Sequence, residues 1–281
     1  MRDFAGKTAV VTGAASGMGR AFAERFAAEG MKVVLADIEA PALETAVAQL
    51  RDAGHDVIGV RTDVSKQEAL HELAQQAVDA YGKVHVLCNN AGGDGYLGTI
   101  WESSPRDWQW TFGVNFWGVV HGVTAFMPIL LAQDEEAHIV NTASATAIVP
   151  GSNIYSVTKH AVLAYSEAVY AQLRHLNAKV GISALCPGTV NTNLFYGGRN
   201  RPDELRNPGE TPDAEPGAEA RTMLRGVLAQ SIPPAHVADI VVDAIRSERF
   251  YVLTDEDWSE TSRLREEAIL SGGVPPQRRR R

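Results

Sequence analysis

The chain has 281 residues, 45% of them hydrophobic and 21% charged, enough to bury a substantial core in one large α/β domain. Its 26 basic and 34 acidic side chains leave a net charge of −8, which argues against a nucleic-acid-binding body and makes the terminal Arg278–Arg281 run a solvated tail. No signal-peptide core, no apolar run of membrane-spanning length and no CxxC or HExxH cluster is visible, so a cytoplasmic protein without a bound metal is expected.

Seven short apolar runs read as strands in chain order: 8–13, 32–37, 56–63, 84–92, 137–144, 180–188 and 249–254. Several are apolar on both faces, the pattern of strands buried within a parallel sheet. Between them lie amphipathic helical stretches such as "GRAFAERFAAEG" and "APALETAVAQLRDAG", each ending in glycine at a plausible C′ position. The alternation predicts a doubly wound parallel α/β sheet of Rossmann type, in three layers and a single domain over 1–281. The two cysteines, Cys88 and Cys186, end apolar runs and are expected as buried thiols. A stretch rich in Gly, Pro and acidic residues, 197–221, breaks the rhythm after the sixth strand. It is either a lid, within about 190–225, or a disordered insertion. A flexible tail is expected over about 270–281.

Chemistry begins directly after the first strand. "TGAASGMG" places Gly13, Gly17 and Gly19 where a strand turns into a helix, a turn that lets backbone N–H groups approach a pyrophosphate. The second strand ends at Asp37, whose carboxylate suits the two ribose hydroxyls of an adenosine and repels a 2′-phosphate. The residues after it, "IEA", offer no basic side chain, so NAD is favoured over NADP. Further along, "YSVTK" sets Tyr155 one helical turn before Lys159, close enough for the ammonium to favour a phenolate. By itself such a pair is commonly plain helix surface; beside a nucleotide-binding half it reads as an acid–base catalyst.

"TGAASGMG", "NNAG" (89–92), "VNFWG" (114–118), "NTAS" (141–144), "YSVTK" and "CPG" (186–188) stand in the order and spacing of the short-chain dehydrogenase/reductase family. The chain resembles its single-domain branch from about residue 5 to 195, with weaker similarity to about 255. The resemblance implies roles for particular residues. Tyr155 is then the general acid/base and Lys159 the cation that lowers its pKa and bonds the nicotinamide ribose. Ser144 hydrogen-bonds the reacting oxygen, and Asn115 supports a water relay to the lysine. Gly13, Ser16, Gly17, Met18, Gly19, Asp37, Ile38, Asp63, Val64, Asn90, Ala91 and Gly92 fall where the family contacts the dinucleotide. Pro187, Gly188, Val190 and Thr192 fall near its nicotinamide end, with Tyr155 and Lys159. A homotetramer, or a homodimer, on the helices near 107–131 and 155–177 is also implied.

Two departures from that pattern stand out. The serine motif reads Ala143–Ser144, and Thr142 competes with Ser144, which is preferred for its register after the strand. Met18 replaces the usual isoleucine, a tolerable apolar exchange. His121 is read as a helix-face or subunit-contact residue, and the tryptophans of 101–112 as cover for the core or an interface.

Gly93, Asp94, Tyr96, Thr146, Ala147, Leu194, Phe195 and Tyr196 are expected to face the substrate. Being mostly apolar or aromatic, they suit a moderately hydrophobic secondary alcohol or ketone, with Arg199 and Arg201 able to meet a carboxylate. Competing expectations are an NADP-dependent carbonyl or 3-oxoacyl reductase and a non-catalytic dinucleotide sensor. A nucleotide-sugar epimerase is disfavoured, because too little chain follows residue 195 for a substrate domain.

Overall fold

The computed structural model describes residues 1–95, 98–211, 231–255 and 258–276. Seven parallel strands form one sheet: β1 (Thr8–Thr12), β2 (Lys32–Asp37), β3 (Val57–Arg61), β4 (Val86–Asn89), β5 (Ala137–Thr142), β6 (Val180–Cys186) and β7 (Tyr251–Leu253). Their order is β3-β2-β1-β4-β5-β6-β7. The direction of winding reverses between β1 and β4, and in open α/β sheets ligands bind beyond the strand ends at such a reversal.

Strand periodicity decides which helices cover which face. Ala9, Val11, Val33, Leu35, Val86, Cys88, Val140 and Leu185 pack under α1 (Gly17–Ala28), α2 (Ala40–Asp52) and α7 (Pro234–Arg246). Their neighbours Val10, Val34, Leu87, Ile139 and Ile182 pack under α3 (Gln67–Tyr81), α5 (Gly118–Ala132) and α6 (Ile154–His175). The three-layer single sheet expected from the alternation is what forms. Gly30 and Gly54 end the first two helices with φ of 79° and 85°, values that favour glycine. Cys88 and Cys186 are free and buried.

The short α4 (Pro105–Phe112), a π-helical turn (Gly113–Trp117) and α5 join into one rod, Pro105–Ala132, whose most apolar 18-residue stretch has mean hydropathy 1.5. By length and composition alone it could span a membrane. Here Val123, Phe126 and Leu130 sit in the second core cluster, so the apolarity serves the sheet.

Helix α8 (Ser259–Ser271) covers the start of the expected tail, whose Arg278–Arg281 lie outside the described residues. Residues 197–211 are packed: two 3-10 turns, Leu194–Asn200 and Asp203–Leu205, lie along the strand ends. The remainder of the expected lid, 212–225, lies outside the described residues.

Candidate active site

The ends of β1 to β4 and the segment after β6 deliver polar or glycine residues to one edge of the sheet, and these line a crevice. Its floor is the β1–α1 turn, with Gly13, Ser16, Gly17 and Met18. Asp37 and Ile38 follow β2, and Asp63 and Val64 follow β3. Asn90, Ala91 and Gly92 follow β4, and Thr192 and Leu194 close the far side.

The turn fits a dinucleotide phosphate group. Helix α1 has no acidic residue in its first turn, and Ser16 makes no side-chain cap, so side chains leave its first N–H groups to an anion. Gly17 has φ 56°, and a Cβ there would meet Thr192 at 3.1 Å. Gly19 is buried rather than in the crevice wall: a Cβ would lie 2.1 Å from the Gly13 carbonyl oxygen, so its contribution is to let α1 press on the turn. Gly188 and Val190 also stand behind the wall. Gly188 packs against Asp255 and Trp258, and Val190 bridges to Ile232.

The β1–β4 reversal is stapled by a residue the sequence reading passed over. Thr12 Oγ1 accepts the Asn90 and Ala91 N–H groups at 2.9 and 3.1 Å, and Asn90 Nδ2 donates to the Thr12 carbonyl at 3.0 Å. Asn90 is therefore a strut of the crevice as well as part of its wall.

Asp37 sits at the end of β2, where the Ala15 and Glu39 N–H groups donate to its carboxylate at 2.9 and 3.0 Å. Burial raises its pKa, and those N–H groups oppose the rise. The residues directly after Asp37 carry no basic side chain, but two arginines from elsewhere in the chain come close. Arg61 Nε donates to the Ile38 carbonyl at 3.3 Å, and Arg199 comes across from the loop to pair with Glu39. Both arginines are distant from Asp37 in sequence, so no local pattern announced them.

Deeper in, α6 begins at Asn153, whose Oδ1 accepts the Ser156 N–H at 2.9 Å as an N-cap. That cap fixes Tyr155 in the first turn. Thr158 Oγ1 donates to the Tyr155 carbonyl at 2.7 Å and accepts from Asn115 Nδ2 at 3.2 Å. Lys159 is 2% exposed, and its Nζ donates to the Thr142 carbonyl at 2.8 Å. A Cβ on Gly92 would stand 3.6 Å from that Nζ, so the lysine adjoins the crevice.

Ser144 hydrogen-bonds Tyr155, whereas the Thr142 hydroxyl turns to Asn90 Oδ1 at 3.5 Å. The serine, not the threonine, shares the tyrosine's site. Burial pushes Tyr155 up to about 12 against the opposing Ser144 bond, and burial pushes Lys159 down to about 8. Desolvation thus dominates, opposed only by the Ser144 bond, and Lys159 faces the phenol's ring at 5.6 Å from its centroid.

Asn115 lies in the π-helical turn with its carboxamide fully used. Its Oδ1 accepts the Gly93 N–H and its Nδ2 donates to the Gly93 carbonyl, each at 2.8 Å. This side chain fixes the loop after β4. His121 faces the Val64 carbonyl at 3.1 Å, and Trp110, read as core cover, lines the crevice beside Gly93.

The loop wall is held by charge. Asn200 Nδ2 donates to Glu39 at 2.6 Å beside Arg199. Arg201, 6% exposed, donates from Nη1 to Asp107 at 2.7 Å and from Nε to the Leu205 carbonyl at 2.7 Å, over the Trp110 ring. Arg199 is therefore paired with Glu39 and Arg201 with Asp107, while the buried Arg201 Nη2 keeps no partner among the described residues. Tyr96 lies outside the described residues.

Comparison with known proteins matches residues 7–201 to the short chain dehydrogenase family. The 1-deoxy-11-beta-hydroxypentalenate dehydrogenase of Streptomyces exfoliatus is 37% identical, over 89% of this chain and 84% of its own. A "CLA biosynthesis dehydrogenase/reductase" of Lactiplantibacillus plantarum is 32% identical over 98% and 97%. Among solved structures, a short chain dehydrogenase/reductase of Burkholderia phymatum in complex with NAD is 46% identical over the whole of both chains, with TM-score 0.93.

Proposed function

The chain belongs to the short chain dehydrogenase family, and from that premise we propose that it is an NAD-dependent oxidoreductase interconverting a moderately hydrophobic secondary alcohol and its ketone. What carries the proposal is one grouping: Ser144 bonded to Tyr155, with the Lys159 ammonium beside Gly92 at the inner end of the crevice. NAD supplies the hydride acceptor when bound. Tyr155 accepts the hydroxyl proton of the alcohol as its carbon is oxidised, and returns it to the oxygen in reduction. Ser144 donates to the reacting oxygen while negative charge gathers there. Lys159 keeps a positive charge next to the phenol and so favours the phenolate.

The uncapped first turn of α1 would hold the phosphates, and Asp37 the adenosine ribose. Preference for NAD over NADP rests on Asp37, with Arg199 already neutralised by Glu39. The NAD named with the Burkholderia phymatum structure agrees with this choice. Segment 194–211 acts as a lid over the crevice, and the exposed Trp117, Val157 and Tyr170 suit the subunit contacts of a homotetramer.

The test is to mix the protein with NAD, then with NADP, and a panel of aryl and alicyclic secondary alcohols while following absorbance at the NADH band. Turnover with NAD well above that with NADP is expected. A protein inert with both coenzymes in both directions would be a sensor instead, and one faster with NADP would be the reductase of the competing expectation.

A further inference from the structure

We infer that the buried Asp94 carboxyl recognises a second hydroxyl on the substrate, so that the enzyme selects diols and hydroxyketones over simple alcohols and ketones. The inference rests on the dehydrogenase proposal above and adds to it the substrate class.

Asp94 is 6% exposed, and among the described residues no cation pairs with it. It meets only the backbone N–H groups of its own residue and Gly95, and burial pushes it up to about 7. The loop is built to keep that carboxyl indoors. On one side Gly93 is gripped at both its N–H and its carbonyl by Asn115, and a Cβ on it would lie 3.6 Å from the Trp110 ring. On the other side Gly95 has φ 72°, and a Cβ there would fall 2.4 Å from Thr111 Oγ1. With both neighbours fixed, the side chain between them has little freedom to swing into solvent.

Its surroundings belong to the reacting end of the crevice. A Cβ on Gly197 of the loop wall would stand 3.8 Å from Asp94 Oδ1, so the carboxyl lies beneath that wall. Its charge is felt at Tyr155, which it helps to push up. Two residues beyond Ser144, the buried hydroxyl of Thr146 has no partner among the described residues. A buried acid and a buried unpartnered hydroxyl thus lie close to the catalytic pair.

Leaving the Thr146 hydroxyl without a partner is unfavourable by about 1–3 kcal/mol, and the Asp94 carboxyl, held only by backbone N–H groups, keeps lone pairs free for a further donor. A purely apolar substrate would impose that penalty on every binding event; a substrate hydroxyl removes it. A neutral donor suits the place better than an ammonium, because the Lys159 charge already adjoins Gly92.

The probes are two matched pairs: cyclohexanol with trans-1,2-cyclohexanediol, and 1-phenylethanol with 1-phenyl-1,2-ethanediol. NADH formation at saturating NAD is measured for the wild type, Asp94→Ala and Asp94→Asn, with NAD titration as the check on folding. Wild type should show kcat/KM for the diols about tenfold or more above the mono-alcohols. Asp94→Ala should collapse that ratio toward one, chiefly through KM of the diol. Asp94→Asn, which keeps the shape and an acceptor, should fall between. Equal use of both members of each pair by the wild type overturns the inference while leaving the dehydrogenase proposal intact. So does a ratio unchanged in Asp94→Ala or, where that variant fails to bind NAD, in Asp94→Asn. A wild type inert towards all four alcohols overturns both.

Discussion

The two walls of the crevice are made differently. The strand-edge wall is knitted by short, buried, neutral hydrogen bonds: Thr12 to Asn90 and Ala91, Asn115 to Gly93, Asn115 to Thr158. The loop wall facing it is held by ion pairs, Arg199 to Glu39 and Arg201 to Asp107, of which the first is about one-third exposed. Neutral bonds in a dry interior hardly respond to salt or pH, whereas exposed ion pairs weaken with both. One wall is suited to fixing reacting groups and the other to opening.

The largest expected effect strikes the fixed wall at its chemical end. Tyr155→Phe removes the proton-transferring oxygen, and kcat should fall by about 10²- to 10⁴-fold while NAD affinity changes little. Steady-state rates paired with NAD titration check this, and unchanged turnover would take Tyr155 out of the mechanism. Next comes the floor of the same wall. Gly19→Ala would set a methyl 2.1 Å from the Gly13 carbonyl oxygen and 2.6 Å from Asn90 Nδ2, so α1 must shift. We expect a loss of about 1–3 kcal/mol in denaturant unfolding and a clear weakening of NAD binding. Retention of both would show the floor to be softer than the contrast between the walls demands.

The difference between the walls also explains what could be foreseen. Bounds of all seven strands were legible to within a few residues, because β-branched runs buried on both faces carry a local signal. Catalytic candidates on the fixed wall were legible too, since Tyr155 and Lys159 share one helical turn and Ser144 follows its strand directly. Arg199 and Arg201 were noticed, but not their partners: Glu39 lies 160 residues from Arg199 and Asp107 94 from Arg201, and nothing local encodes such pairing. The use of Asn115 to grip Gly93 was equally hidden, because it depends on a π-helical turn that only packing reveals. Nor could spacing alone show that burial would raise the Tyr155 pKa.

An intermediate effect is expected where the loop wall is most deeply anchored. Arg201→Met keeps a stem to cover Trp110 but leaves the buried Asp107 without its cation, a change worth about 3 kcal/mol or somewhat less. Limited proteolysis within 198–211 should accelerate, with a lower Tm. Acid should reproduce the change. Burial pushes Asp107 up, but bonds from Ser104, Arg201 and Asn207 outweigh it and hold the carboxyl below its ordinary value. The stabilisation is therefore complete above the unfolded carboxylate pKa of about 4 and disappears as pH falls through the lower folded value. Loop protection that is no weaker in acid than at neutral pH, once Asp107 is protonated, would contradict this anchoring.

The smallest effect belongs to the shallow anchor and sharpens the contrast most. Glu39→Gln leaves the fold untouched but weakens the hold on Arg199 and Asn200, whose side chains close the adenosine end of the crevice. An ion pair at this exposure contributes only about 0.2–1 kcal/mol, so NADH release measured by stopped-flow should quicken by about two- to fivefold at low salt. Raising the salt to about 1 M, where the screening length shrinks to about 3 Å, should bring the wild type toward the variant's rate. The same salt jump should leave Gly93 and Tyr155 where they are, because no exposed charge holds them. A release rate indifferent to both the substitution and the salt would mean that the loop is no looser than the strand edge it faces, and the division of labour between the walls would fail.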